Sequence, residues 1–247
     1  MEIEGKVAVV SGGASGIGRA AVLALVDRGA RVVVADVDES GGRRTVDMAA
    51  DKGGLAVFSR CDVTKTNDLA AAFTLAMAHF GRFDIAFNNA GIGGEDLFAD
   101  DAGAWARIID IDLTAVIDAT RLAVREMKRS GNGGVIINTA SLIGLGPMAA
   151  APVYAAAKAG VVNFSRSLAY LSEESSIRVN TICPELVDTP MALGLGEESL
   201  QELRKTGGIL KPEDIAAGVL ELIGDESLFG VVMKVTIEGG REIVLPS

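Results

Sequence analysis

Histidine is almost missing from this chain: His79 stands alone among 247 residues. It falls in the helical pattern Asp68 to Phe80, where it reads as a solvated helix position. A Ser-His-Asp hydrolase would have to rely on this single imidazole, and an HExxH metal site, which needs two, is excluded. Cysteine is nearly as scarce. Cys61 and Cys183 are too few for a disulfide framework or a Cys-based zinc site, and no metal is expected. Basic side chains are outnumbered, 23 Lys and Arg against 33 Asp and Glu, for a net charge of -10. Such a surface repels phosphate backbones and anionic headgroups, so neither nucleic acid nor a membrane is an expected partner. No apolar run reaches the ~18 residues of a membrane span, because Gly, Asp, Arg or Lys interrupts each candidate. The opening Met1 to Lys6 has acidic residues where a secretory leader is basic, which makes the cytoplasm the expected compartment. Proton chemistry is left to Tyr, Lys, Cys or carboxylates.

What is present is a large apolar fraction, 49%, with only 6 Pro and no repeat or biased tract. That composition belongs to a compact globular chain. Short β-branched runs at 6–10, 31–35, 55–59, 83–87, 134–139, 177–182 and 231–237 alternate with helical patterns at 17–28, 41–51, 67–80, 102–129, 153–171 and 212–223. The rhythm is that of βαβ units, so a Rossmann-type doubly wound parallel sheet of seven strands with helices on both faces is expected. No Pro/Gly/Ser-rich linker divides the chain, and one domain over residues 1–247 follows. The segment 191–208 breaks the rhythm with Gly194, Gly196, Gly207 and Gly208 around a short helical pattern. It reads either as a lid over a site or as an ordinary surface excursion.

Directly after the first strand come Ser11, Gly12, Gly13, Ala14, Ser15, Gly16, Ile17 and Gly18, opening a helix. Glycines in such a turn let backbone N–H groups approach a pyrophosphate at the helix N-terminus, where the dipole favours negative charge. Asp36 ends the second strand, where a carboxylate can accept from both adenosine ribose hydroxyls and would repel a 2′-phosphate. Val37 rather than Arg follows it, so NAD is expected over NADP; a solvated strand end is the plainer alternative for Asp36.

Tyr154 and Lys158 stand four residues apart, on one face of a helix. A neighbouring cation stabilises phenolate, so the Tyr154 pKa is expected to fall from about 10 toward neutrality, which would make it a usable general base. Ser141 lies thirteen residues earlier at a strand end, on the edge where doubly wound sheets build their sites.

Taken together, the glycine turn, Cys61-Asp62-Val63, Asn88-Asn89-Ala90-Gly91, Ser141, the Tyr154/Lys158 pair and Pro184 to Thr189 resemble the short-chain dehydrogenase/reductase family over essentially the whole chain. The resemblance implies an NAD-dependent oxidoreductase interconverting a secondary alcohol and a ketone. It implies that Asp62 and Val63 contact adenine, that Asn89, Ala90 and Gly91 with Pro184 line the cofactor, and that Lys158 holds the nicotinamide ribose. Val187 and Thr189 would hold the carboxamide, Ser141 the reacting oxygen, and Tyr154 would move the proton. It also implies a homo-oligomer, tetramer or dimer. Leu142, Ile143, Met148, Leu186, Met191 and Leu193 are candidate pocket residues for an apolar substrate of lipid, steroid or hydroxy fatty acid type, or else core.

Two positions depart from the pattern. Asp112, seven residues after Trp105, takes the place of the family's usual Asn and becomes a fourth candidate catalytic residue. Ionised beside Lys158, it would favour phenol over phenolate at Tyr154; shifted along its helix, it would stand outside the relay. Glu185 follows Pro184 where Gly is usual, turning outward or crowding the ring. These departures motivate a second reading, a non-catalytic NAD-binding regulator or scaffold; a nucleotide-binding methyltransferase is a third, in which the Tyr/Lys pair has no role.

Overall fold

The computed structural model describes residues 1–93, 97 and 103–245. Val7–Ser11 (β1), Arg31–Asp36 (β2), Leu55–Arg60 (β3) and Ile85–Asn88 (β4) are strands, as are Gly134–Thr139 (β5) and Ile177–Pro184 (β6). Val232–Thr236 (β7) and Gly240–Val244 (β8) complete one sheet in the order β3-β2-β1-β4-β5-β6-β7-β8. β1, β4, β5 and β6 are buried along their whole length, as interior parallel strands are, and where polar residues interrupt their apolar runs, as at Asn88, Asn138, Arg178 and Asn180, the side chains are hydrogen-bonded. The order of strand addition reverses after β3, with β4 placed on the far side of β1, and this topological switch between β1 and β4 is where such sheets open a crevice at their carboxyl ends.

The sheet has eight strands, not the expected seven. β1 to β7 run parallel, and β8 pairs back antiparallel on β7 with Thr236 opposite Gly240. A turn through Gly239 and Gly240, the latter at φ +63°, reverses the chain, a conformation that glycine enters without steric cost.

Helices cover both faces. Gly16–Val26 (α1) and Pro212–Gly224 (α9) pack together over one apolar cluster that includes Val10, Val34, Ile137 and Met233. Thr66–Phe80 (α3) and Ala115–Ser130 (α5) cover the opposite face around Val9, Val33, Ile136 and Val179. Glu39–Asp51 (α2) flanks β3. The helix expected over 102–129 is composite, and its first residue, Ala102, lies outside the described residues. Ala104–Ile109 (α4) runs into a π-helical turn, Asp110–Thr114, before α5 begins. Pro152–Ser167 (α6) ends earlier than expected, and Leu171–Ser175 (α7) is separate. Within 191–208, a 3-10 turn at Pro190–Leu195 leads into Glu197–Thr206 (α8). Arg204 of α8 forms a bidentate pair with Asp188, both bonds at 2.8 Å. No helix among the described residues is long and apolar enough to cross a membrane.

Candidate active site

The carboxyl ends of β1, β4, β5 and β6 are joined by polar bonds before any side chain of the site is added. Ser11, closing β1, accepts on its Oγ from the backbone of Asn89 (3.0 Å) and Ala90 (3.2 Å). Asn88 on β4 donates to Asn138 Oδ1 of β5 at 2.8 Å and to Thr120 at 3.2 Å. Asn138 in turn donates to Ser165 of α6 at 2.9 Å. All four side chains of this second network are buried. Satisfied buried networks fix geometry, and this one locks the strand leading to Ser141 against the helix carrying Tyr154. Ser11, Thr120, Asn138 and Ser165 were not singled out by the sequence. Ser11 sits inside the glycine turn and could have been, whereas nothing local marks the other three.

The glycine turn is as tight as expected. Gly12 sits at φ +67°, and a Cβ on Gly18 would stand 2.1 Å from the Gly12 carbonyl oxygen. Ser15, the N-cap of α1, makes no side-chain cap bond, which leaves the first-turn N–H groups without a side-chain acceptor. Ile17 packs against the core. Asp36 accepts from Ala14 N at 2.9 Å and Asp38 N at 3.0 Å, fixing the carboxylate at the rim of the turn, while Val37 is exposed beside it. Asp62 is engaged by Thr64, whose hydroxyl donates at 2.7 Å, and this bond holds its carboxyl below the usual range. Val63 shares the lining of a small cavity with Ser11, Asn88 and Ala90. Pro184 ends β6, Val187 bridges to Leu210, and Thr189 lies so near α1 that a Cβ on Gly16 would meet its methyl at 3.0 Å. We expect Gly18→Ala to abolish cofactor binding measured by calorimetry, because the new methyl can be seated only by opening the turn; binding at wild-type strength would contradict the role given to the turn.

Ser141 caps a short 3-10 turn, Leu142–Leu145, accepting from Ile143 N at 3.3 Å. Its side chain lies near enough to the Tyr154 phenol to act on its acidity. Lys158 Nζ sits 5.5 Å from the centre of the Tyr154 ring. The ammonium is buried, donates to Thr139 O at 3.1 Å and forms an ion pair with Asp112 Oδ1 at 3.0 Å. The π-helical turn carries the Asp112 carboxylate inward: it is fully buried and faces Ile92 N at 3.4 Å. Gly91 gives it room, since a Cβ there would lie 2.7 Å from Asp112 Oδ1. Lys158, Asp112, Tyr154 and Ser141 are therefore neighbours. Glu185 turns outward: it is exposed and accepts from Ile237 N at 2.9 Å, so its carboxylate is tied to the β7–β8 hairpin.

The electrostatics differ from the expectation that Lys158 alone would draw the phenol toward neutrality. Burial pushes the Tyr154 pKa up, Lys158 pulls it down, Asp112 pushes it up again and Ser141 lowers it, with a net rise. Spacing along a helix reveals the cation but neither the burial nor the carboxylate. Burial likewise raises Asp112 against the pull of Lys158. Cys61 and Cys183 are buried, and burial pushes both thiols up to about 12, so neither is a nucleophile at neutral pH.

Residues 6–199 match the family model described as short chain dehydrogenase. The human 15-hydroxyprostaglandin dehydrogenase [NAD(+)] (Homo sapiens) is 37% identical, with 97% of this chain and 94% of that protein covered. Its kinship agrees with the look of Pro152-Val153-Tyr154, Ile182-Cys183-Pro184 and the run 230–236. A cis-4-hydroxycyclohexanecarboxylate dehydrogenase of Sinomonas cyclohexanicum is 38% identical, with 97% of each chain covered. Among solved structures, a 7 alpha-hydroxysteroid dehydrogenase complexed with NADH and 7-oxo glycochenodeoxycholic acid superposes with a TM-score of 0.89 at 29% identity, covering 98% of this chain and 96% of that one. With both the sequence model and the backbone pointing the same way, this chain belongs to the short chain dehydrogenase family.

Proposed function

We propose that the protein is an NAD-dependent oxidoreductase interconverting a secondary alcohol and a ketone on an apolar substrate. The observation that carries this reading is the meeting of Ser141, Tyr154 and Lys158 at the carboxyl end of β5, beside the glycine turn. A molecule that only bound a nucleotide has no chemical need of a phenol, a hydroxyl and an ammonium so arranged. The residues present fit the cofactor: a cradle that a Cβ at Gly18 would fill, a helix N-terminus whose N-cap Ser15 makes no side-chain cap bond, and a carboxylate, Asp36, fixed at the rim of the turn by Ala14 N. Gly12, Ser15, Gly16, Ile17 and Gly18 would hold the pyrophosphate, Asp36 with Val37, Asp62 and Val63 the adenosine, and Asn89, Ala90, Gly91, Lys158, Pro184, Val187 and Thr189 the nicotinamide half. When bound, the cofactor supplies the hydride acceptor or donor.

The rest of the chemistry belongs to the chain. Ser141 donates to the substrate oxygen and fixes its distance from the phenol. Tyr154 takes the hydroxyl proton in oxidation and returns it in reduction. Lys158 is held by Thr139 O and by its ion pair with Asp112, and would offer its remaining donor capacity to the nicotinamide ribose. An apolar substrate is favoured by exposed apolar side chains on the segments that follow β5 and β6: Met148, Met191 and Leu193 are 40%, 48% and 55% exposed, and Ile143 and Leu186 are only partly buried. Leu142, by contrast, packs against the apolar cluster around Val161 and Val162. The segment 191–208 would serve as the lid, hinged at Gly196 and Gly207 and latched by Arg204 to Asp188.

A panel of secondary alcohols and ketones, followed by NADH absorbance, tests the reading alongside calorimetry of NAD. Turnover on apolar members is the expected result; tight NAD binding with no turnover on any member would leave only a binding protein. Asp36→Ser is expected to lower kcat/KM with NAD by about 10- to 100-fold, the worth of charge-assisted hydrogen bonds, and to narrow the preference over NADP. A preference unchanged by that substitution would remove Asp36 from the adenosine site.

A further inference from the structure

A buried ammonium beside a phenol makes a nearly neutral pair once the phenol ionises. In this chain the ammonium already has a buried carboxylate partner, Asp112, at 3.0 Å, with side-chain exposures of 3% and 0%. The charge sum is then zero with the phenol protonated and one negative with it ionised. An uncompensated charge in a dry site is costly. The other groups facing the phenol do not offset it. Ser141 is neutral, the Cys183 thiol is held protonated by burial, and Arg166 and Lys234 act at Cys183 rather than at the phenol. Facing Asp112 from the other side is the backbone N–H of Ile92, and facing Lys158 is the carbonyl of Thr139. Neither carries a net charge.

We infer that Asp112 is a positioning residue that offsets the Lys158 charge beside Tyr154, so that at neutral pH the site holds a neutral phenol and is set to give a proton to a ketone. This rests on the oxidoreductase reading above. In the reductive step the Tyr154 O–H bond breaks as its proton passes to the carbonyl oxygen. The hydride for the carbonyl carbon would be supplied by the reduced cofactor when bound, the product is the secondary alcohol, and the phenolate recovers a proton from water. Oxidation needs the phenolate, and therefore begins only at higher pH. The shift of the Tyr154 pKa above its ordinary value, with Asp112 among its causes, runs in the same direction.

The chain has only two tyrosines, and the other, Tyr170, is 57% exposed and lies beyond the end of α6. In a Tyr170→Phe background, tyrosinate absorbance therefore reports Tyr154 alone, without substrate or cofactor. Asp112→Asn, close to isosteric, is expected to move that titration to lower pH by about one unit or more. The pH profile of oxidation should move down with it, and so should the upper limit of reduction. Asp112→Glu should hold the titration near its original position. The same midpoint for Tyr154 with and without Asp112→Asn overturns the inference, and if Asn fails to fold, Asp112→Ser carries the same expectation. Because the titration needs no turnover, an inactive protein whose phenol shifts as expected defeats the oxidoreductase reading alone, and an active protein whose phenol does not shift defeats this inference alone.

Discussion

Tyr154→Phe is expected to lower turnover by about 100- to 10,000-fold, the usual worth of a positioned proton donor or acceptor, with NAD affinity and the melting transition near wild type. The reasoning is local. Phe preserves the ring that lies beside Lys158 Nζ and removes only the phenol oxygen. The loss should fall on kcat rather than KM, since the phenol oxygen matters most while the proton is in flight. No histidine stands ready as a substitute: His79 lies on α3, stacked edge-on against Phe80. Undiminished turnover in the variant would sink the assignment of Tyr154.

Lys158→Met should be the most destabilising of these changes, because it leaves Asp112 as a fully buried carboxylate with no cation. Breaking a buried pair from one side costs about 3–5 kcal/mol. The double substitution Lys158→Met with Asp112→Asn should recover much of that loss, a coupling that urea unfolding can measure. Acidification should also help the single variant. Asp112 already has a raised pKa in the folded protein, and without Lys158, which pulls it down, it rises further. A carboxyl that binds its proton more tightly when folded contributes stability below its unfolded pKa of about 3.9 and loses it as pH rises through the folded value. The deficit should therefore be largest at neutral pH and shrink as pH falls through the raised pKa. Equal costs for single and double variants, at all pH values, would show that the pair is not coupled.

Much of this architecture is legible in the sequence, and the exceptions share a cause. β1 to β7 announce themselves as short β-branched or apolar runs set between helical patterns, and the glycine turn because its backbone has no alternative. β8 escaped because Arg241 and Glu242 are exposed, and two charged residues after a Gly-Gly pair look like a tail. The break at Asp110–Thr114 escaped because one extra residue in a turn leaves the apolar spacing on either side intact. Asp112 was marked by its residue type, but whether it faced Lys158 depended on that turn. The direction of the Tyr154 shift was beyond reach for the same reason, since it depends on burial and on a carboxylate 42 positions away along the chain (154 minus 112).

β8 also decides how the sheet ends. Among the described residues it is paired on one side, with β7, so the other presents a row of backbone donors and acceptors that could template a strand from another molecule. The residues along it discourage that. Arg241 is drawn to Glu221 at 2.6 Å and Glu242 to Lys234 at 2.8 Å, so an incoming strand would have to approach across exposed charges of both signs and give up their hydration. Edge-to-edge growth of the sheet through β8 is thereby disfavoured.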